Sequence, residues 1–174
     1  TFGISEVRTL EVDNTPPNIT FYNPLNNSFF NGALNLNVSI TNLLLDQSTY
    51  NITNSSGNLI QQNSNLSIAL ANFTWVDLVN VSNSTFVDGN YTLTVWANDS
   101  LGNQVTSSIN FIVDKTFPVI NNITFSPTTV YNNNSVVFTL NITELNLNTS
   151  AVFLESNASS SWENYTMQQQ SAGI

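Results

Sequence analysis

The sequence predicts an all-β protein built from sandwich units of about 100 residues, and three observations carry that expectation. The stretch Tyr91-Thr92-Leu93-Thr94-Val95-Trp96-Ala97 is apolar at its odd positions and Thr, Thr and Trp at its even ones, the period of a half-buried strand. Val12-Asp13-Asn14-Thr15-Pro16-Pro17 returns 101 residues later as Val113-Asp114-Lys115-Thr116-Phe117-Pro118, and a period of that size is one sandwich domain. No stretch carries a convincing helical period.

Taken in order, strands are expected near Asn18 to Tyr22, Ala33 to Thr41, Ser48 to Thr53, Leu66 to Phe73 and Trp75 to Val81. Asp88-Gly89-Asn90 turns the chain into the Tyr91 strand, Asn98 to Asn103 turns it back, and Val105, Ile109, Phe111 and Val113 answer on the return. Seven short strands at this spacing give an immunoglobulin-like β-sandwich. The repeat extends beyond the linker: Leu36, Val38 and Ile40 reappear as Phe138, Leu140 and Ile142 at a spacing of 102, and the acceptor triplet at Asn54 reappears at Asn157.

This alignment divides the chain into three. Residues 1–14 match the last strand of a unit and its linker, since Leu10 and Val12 align with Phe111 and Val113; residues 15–114 make a complete sandwich; residues 115–174 make a linker and the first strands of a second, incomplete one. Counterparts of Trp75 to Val113 do not follow in the second copy, which leaves an apolar sheet face and an open edge in need of a cover. Either further chain supplies it, or residues 2–13 of a neighbouring copy are donated by β-augmentation, with Leu10 and Val12 as plug residues. Head-to-tail donation does not close and so propagates as a fibre.

The surface is marked by amides. Of 31 asparagines among 174 residues, 17 stand in the acceptor pattern Asn-x-Ser/Thr, where random placement would give roughly 7. They are Asn18, Asn26, Asn37, Asn51, Asn54, Asn65, Asn72, Asn80, Asn83, Asn90, Asn98, Asn122, Asn133, Asn141, Asn148, Asn157 and Asn164. N-linked glycans need solvated side chains and a secretory route, so the pattern predicts an extracellular, sugar-coated surface. The competing explanation is an Asn-rich β protein whose Ser and Thr alternate on exposed strand faces. Asn54, Asn83, Asn133 and Asn157, in polar turns, are the foremost candidates for modification.

Charge excludes several function classes. Only Arg8 and Lys115 are basic against 11 carboxylates, a net charge of −9, which argues against nucleic acid and anionic membranes as partners. No apolar run reaches the roughly 20 residues of a membrane span. With no Cys there is no disulfide staple, and with neither His nor Cys the usual nucleophilic triads and zinc sites cannot be built. Asp77, Asp88, Glu144 and Glu163 could serve acid–base chemistry, but their spacing singles out no pair and they read mostly as solvated loop residues. The expectation is a protein that is not an enzyme and has no resident cofactor.

One constellation has a geometric argument. The loop between the last two strands lies at the pole where the chain enters, so Asp99 and Asn103, with Asn98 beside them, should face the linker carrying Asp13. Oxygen ligands from Asp13, Asp99 and Asn103 could hold a structural Ca²⁺ there; alternatively they make the side-chain-to-backbone bonds of tight turns. Trp96, on the Thr face of its strand, could meet sugar or a neighbouring subunit, or simply cover adjacent side chains.

The string DGNYTLTVWANDSLGNQVTSSINFIVDKTFP resembles the final hairpin and linker of immunoglobulin-like repeats of bacterial and archaeal cell-surface proteins, and SAVFLESNASSSWENYTM is similar to segments of archaeal repeats of that type. The resemblance implies S-layers, adhesin stalks, pilus-like filaments or appendages of secreted enzymes, with copies of the same chain or other surface-layer subunits as partners. It also places Tyr91 where a tyrosine opens the penultimate strand. A carbohydrate-binding or accessory module of a secreted enzyme is the alternative it leaves open.

Overall fold

The structure, a computed structural model, describes residues 12–129, 135–144, 146, 152–156 and 160–168. The described chain is all-β. It divides into two compact units, Thr1–Lys115 and Thr116–Ile174.

The first unit contains β1 (Asn18–Asn23), β2 (Ser28–Phe30), β3 (Ala33–Asn54), β4 (Leu59–Asn65), β5 (Leu70–Asn80), β6 (Gly89–Asp99) and β7 (Gln104–Val113). The two strands expected over Ala33 to Thr53 form one run. The first part of β3 pairs antiparallel with β1 (Ile19↔Ile40) and β5 (Val38↔Trp75), and its second part with β4 (Asn51↔Gln62) and β6 (Tyr50↔Val95). Register shifts between Thr41 and Gln47 separate the two parts, and such irregularities bend a strand and raise its twist. The sheet therefore curls into two layers, β1-β3-β5 and β4-β3-β6-β7-β2, with β2 parallel to β7. The expected break at Thr74 disappears because β5 pairs with β3 without interruption there, through Ser39↔Thr74; the expected gap between Thr41 and Ser48 is spanned by the one strand run, with its register broken at that place, while β2 and β4 carry too little apolar alternation to be read from sequence.

Alternation decides what lies between the layers. Leu34, Leu36, Val38 and Ile40 from the first part of β3, Tyr50 and Ile52 from its second, Trp75 and Val79 from β5, Tyr91, Leu93, Val95 and Ala97 from β6, and Phe111 and Val113 from β7 are all buried in one cluster. Each such large side chain contributes about 1.5–3 kcal/mol on full burial. The layers touch directly: the Trp75 ring meets Tyr50 edge-on at 5.2 Å, and its indole N–H donates to Ser48 Oγ at 3.0 Å. At the entry to β6, the Tyr91 hydroxyl donates to the Val87 carbonyl and accepts from the Val87 N–H, both at 2.8 Å, with its ring against Phe86 and stacked on Phe111.

The second unit contains β8 (Val119–Ser126) paired with β9 (Val137–Thr143), and β10 (Phe153–Ser156) paired with β11 (Glu163–Thr166). Its registers Asn122↔Asn141 and Ile123↔Leu140 reproduce Thr20↔Ser39 and Phe21↔Val38 of the first unit at a spacing of 102. None of its described residues is buried. Val119, Ile120, Ile123, Phe125, Val137 and Phe138 stand exposed on β8 and β9. The expected face of Val136, Phe138, Leu140 and Ile142 is thus present, with Phe138 exposed and the other three half-buried.

Candidate functional site

Fourteen of the acceptor asparagines fall among the described residues, and none is buried: Asn51, Asn54, Asn65 and Asn98 are half-buried, and Asn18, Asn26, Asn37, Asn72, Asn80, Asn83, Asn90, Asn122, Asn141 and Asn164 are exposed. Asn133, Asn148 and Asn157 lie outside the described residues, as does the plug residue Leu10. Two local geometries account for most of the fourteen. On strands, triplets such as Asn18-Ile19-Thr20, Asn37-Val38-Ser39, Asn72-Phe73-Thr74 and Asn90-Tyr91-Thr92 turn the apolar middle residue inward and the amide and hydroxyl outward, as a two-residue period requires. Both layers carry acceptors on their outer faces.

In turns the asparagine shapes the backbone. Asn54, Asn65, Asn80 and Asn83 accept the N–H of their own triplet's third residue, Ser56 at 3.1 Å, Ser67 at 3.2 Å, Ser82 at 3.1 Å and Thr85 at 2.9 Å. These are Asx turns. They spend the amide oxygen and not the nitrogen, which is the atom a glycan takes. Asn26 and Asn98 likewise accept through oxygen, from the N–H groups of Asn110 and Gln47, each at 3.0 Å.

Between acceptors, the outer face of β6 and β7 is a ladder of neutral groups. Thr92 Oγ1 donates to Asn110 Oδ1 at 2.9 Å, Thr94 and Ser108 share a hydroxyl contact at 3.1 Å, and Trp96 Nε1 donates to Gln104 Oε1 at 3.3 Å. Trp96 is half-buried here and its N–H is paired. Opposed Thr/Ser pairs of this kind stabilise a sheet by about 0.2–1 kcal/mol each.

The pole of the first unit does bring Asp13, Asp99 and Asn103 together. Asp99 is only 1% exposed, and its Oδ1 accepts from the N–H groups of Leu101 at 3.0 Å and Asn103 at 2.9 Å. Asn103 Nδ2 donates to Asp99 Oδ2 and to the Asp13 carbonyl, both at 2.9 Å, while Asp13 Oδ1 accepts the Thr15 N–H at 2.8 Å. Gly102, at φ +87°, provides the left-handed step this turn needs. Burial pushes the Asp99 carboxyl upward, but the bonds from the Asn103 side chain and the Asn103, Leu101 and Gly102 backbone outweigh it and hold it below its ordinary value. Asn103 thus presents its amide nitrogen, a donor, to both acceptors, so a cation would have to displace that amide. Among the described residues, no group of three His, Cys, Asp or Glu side chains gathers to hold a metal.

Asp77 is not the solvated loop residue expected. It lies half-buried at an inward position of β5, where Tyr50 donates its hydroxyl proton to Asp77 Oδ2 and Gln61 Nε2 donates to the Tyr50 oxygen at 3.0 Å. Burial, then the Asp77 bond, push the Tyr50 hydroxyl up to about 12. Next to it, Ser48 Oγ accepts from Trp75 and donates to the Trp96 carbonyl at 2.8 Å. This polar seam was missed because its signal, one Asp in the inward series Phe73, Trp75, Asp77, Val79, resembles an ordinary surface charge. Asp88, as expected, is an exposed loop residue, accepting the Lys115 N–H at 2.8 Å; Glu163 lies on β11 and accepts from the Tyr165 hydroxyl at 2.5 Å.

No protein-family model matches the sequence, and no curated protein is similar to it. Among solved structures, the crystal structure of CopC from Methylosinus trichosporium OB3b is similar at 16% identity, covering 56% of this chain and 94% of that one with a TM-score of 0.39. A likeness at that level carries no argument about function. No helix among the described residues is long and apolar enough to cross a membrane.

Proposed function

We propose that this is a non-enzymatic structural protein of the prokaryotic cell surface, whose immunoglobulin-like units supply length and a sugar-coated exterior to an extracellular filament, S-layer or adhesive stalk. The immunoglobulin-like assignment draws support from Tyr91, whose hydroxyl clasps the Val87 backbone as a tyrosine corner does at the start of the penultimate strand. The sandwich is joined without disulfides, so packing and the polar seam hold its layers together.

The observation that carries the functional reading is the placement of acceptors: all fourteen described ones lie outside the buried core, on both layers and in turns, over a surface with almost no basic charge. Amides, hydroxyls and sugars then form the hydrating layer that charges form elsewhere. Intact-mass measurement of protein from its native source tests this. For the stretch of residues 1–174, a mass above the bare 19.1 kDa by discrete sugar increments is expected, and a bare 19.1 kDa for that stretch overturns the reading.

Strand donation between copies is a second reading, favoured by the exposed pairs of the second unit and by Val12, 73% exposed at the register of a core strand residue. Here residues 2–13 of one copy would lie along β8–β11 of the next, Leu10 and Val12 filling the positions that Phe111 and Val113 fill in the first unit. Polymer length should then fall on Val12→Asp substitution. Polymers unchanged by Val12→Asp and Leu10→Asp together would remove donation.

A further inference from the structure

We propose that Asn122 and Asn141, the two acceptors of the β8–β9 pair, form one glycosylation site and not two, and that Asn122 is the residue that carries the sugar. The proposal rests on the reading of this surface as glycosylated. Register makes the two residues direct partners, and directly opposed residues of an antiparallel pair point to the same face with Cβ atoms about 4.5–5.5 Å apart. No other two described acceptors are paired in this way; Asn51, for instance, faces Gln62 and Thr94, and Asn72 faces Thr41. At the corresponding positions of the first unit, 102 residues earlier, the partners are Thr20 and Ser39. Two glycans rooted at Asn122 and Asn141 would have to share the width of one strand, each losing hydration and rotational freedom to the other.

A second feature makes the pair unequal. The register shift between Ile120 and Asn122 leaves Asn121 without a partner opposite it, and bulged residues re-aim their side chains. Asn121 Nδ2 donates to Thr143 Oγ1 at 2.7 Å and approaches Asn141 Oδ1 at 3.4 Å. It thus engages the hydroxyl that makes the Asn141-Ile142-Thr143 triplet an acceptor, together with the Asn141 amide oxygen but not its nitrogen. Asn122 is exposed, and its triplet hydroxyl, Thr124, stands opposite Thr139. Modification at Asn122 joins its Nδ2 to the anomeric carbon of a phosphate-activated glycosyl donor. The bond from that carbon to the phosphate oxygen breaks, the phosphate leaves with the electron pair, and the amide gives up one proton.

The chain offers a direct test, because no Lys, Arg, Asp or Glu lies between Lys115 and Glu144. Trypsin with a glutamate-specific protease therefore releases residues 116–144, holding Asn122, Asn133 and Asn141. The full chain carrying Asn133→Gln is expressed in a host that glycosylates it, and the peptide is sequenced by a fragmentation method that keeps sugars attached. A single sugar, on Asn122, is expected. A doubly modified peptide, a single sugar on Asn141, or a bare peptide from a chain glycosylated elsewhere each overturns the proposal while leaving the glycosylated surface intact; a chain bare throughout overturns both. In Asn122→Gln, Asn141 occupancy should stay low and rise several-fold when Asn121→Ala is added. No rise would show that Asn121 does not guard that triplet.

Discussion

The two units share a strand register and differ in what encloses it. In the first, Val38 and Ile40 have β1 on one side, β5 on the other and a second layer opposite, and both are fully buried. In the second, the equivalent residues Leu140 and Ile142 have only β8 beside them among the described strands and are half-buried, while Ile123 is 60% exposed. Pairing strands satisfies backbone groups, but removing apolar side chains from water takes a second layer. An isolated two-stranded pair is marginal for that reason. The comparison isolates layering as the stabilising step in this fold.

Substitutions at matched positions of the repeat are the strongest way to break that comparison. Leu36 and Phe138 occupy the same place in the two copies, at 0% and 42% exposure. Leu36→Ala should destabilise the first unit by about 2–5 kcal/mol through transfer and cavity terms, whereas Phe138→Ala should fall within about 0.5 kcal/mol, as surface changes do. Urea unfolding followed by near-ultraviolet circular dichroism and hydrogen exchange reads both. If Phe138→Ala proves as costly as Leu36→Ala in an isolated chain, the second unit has a closed core and the contrast fails.

Much of this contrast was legible beforehand, and the reason is periodicity. Tyr91, Leu93, Val95 and Ala97 fall inward because alternation over seven residues fixes the face of a strand, and the same alternation at Leu36, Val38 and Ile40 is carried into β9 by the spacing of 102. The pole was legible too, because turn chemistry is local: Asp99 and Asn103 close a turn of their own. Less legible were features set by neighbours distant in sequence. β2 exists because Ser28 to Phe30 find Phe111 to Val113, and the seam exists because β3 brings Tyr50 and Ser48 opposite Asp77 and Trp75. The amide oxygen of Asn51, enclosed without a hydrogen-bond partner on β3, has no signature in its own triplet and no structural explanation.

A smaller effect, the pH range of the first unit, sharpens the comparison from another side. The Tyr50 hydroxyl is raised from 10.0 to about 12, so the folded state holds its proton more tightly than the unfolded state does. The stabilisation is complete below pH 10 and is lost as pH rises toward 12. Asp99 works at the other end: its folded value lies below 3.8, so its contribution is present above that value and disappears as pH falls through the depressed one. The unit should therefore lose stability at both extremes for two different residues. Tyr165 in the second unit is also raised, first by its hydrogen bond to Glu163, but it is 51% exposed and its bond competes with water. Melting temperature measured from pH 8 to 12 should fall steeply above pH 10 in the parent chain and less steeply in Tyr50→Phe, with Tyr165→Phe following the parent. Comparing slopes and not absolute stabilities separates titration from the plain loss of the Gln61 and Asp77 bonds, which lowers Tyr50→Phe by a constant amount at every pH below 10. A Tyr50→Phe chain that keeps the full alkaline slope would place the loss in other groups and remove the seam as the pH-sensitive tie between the layers.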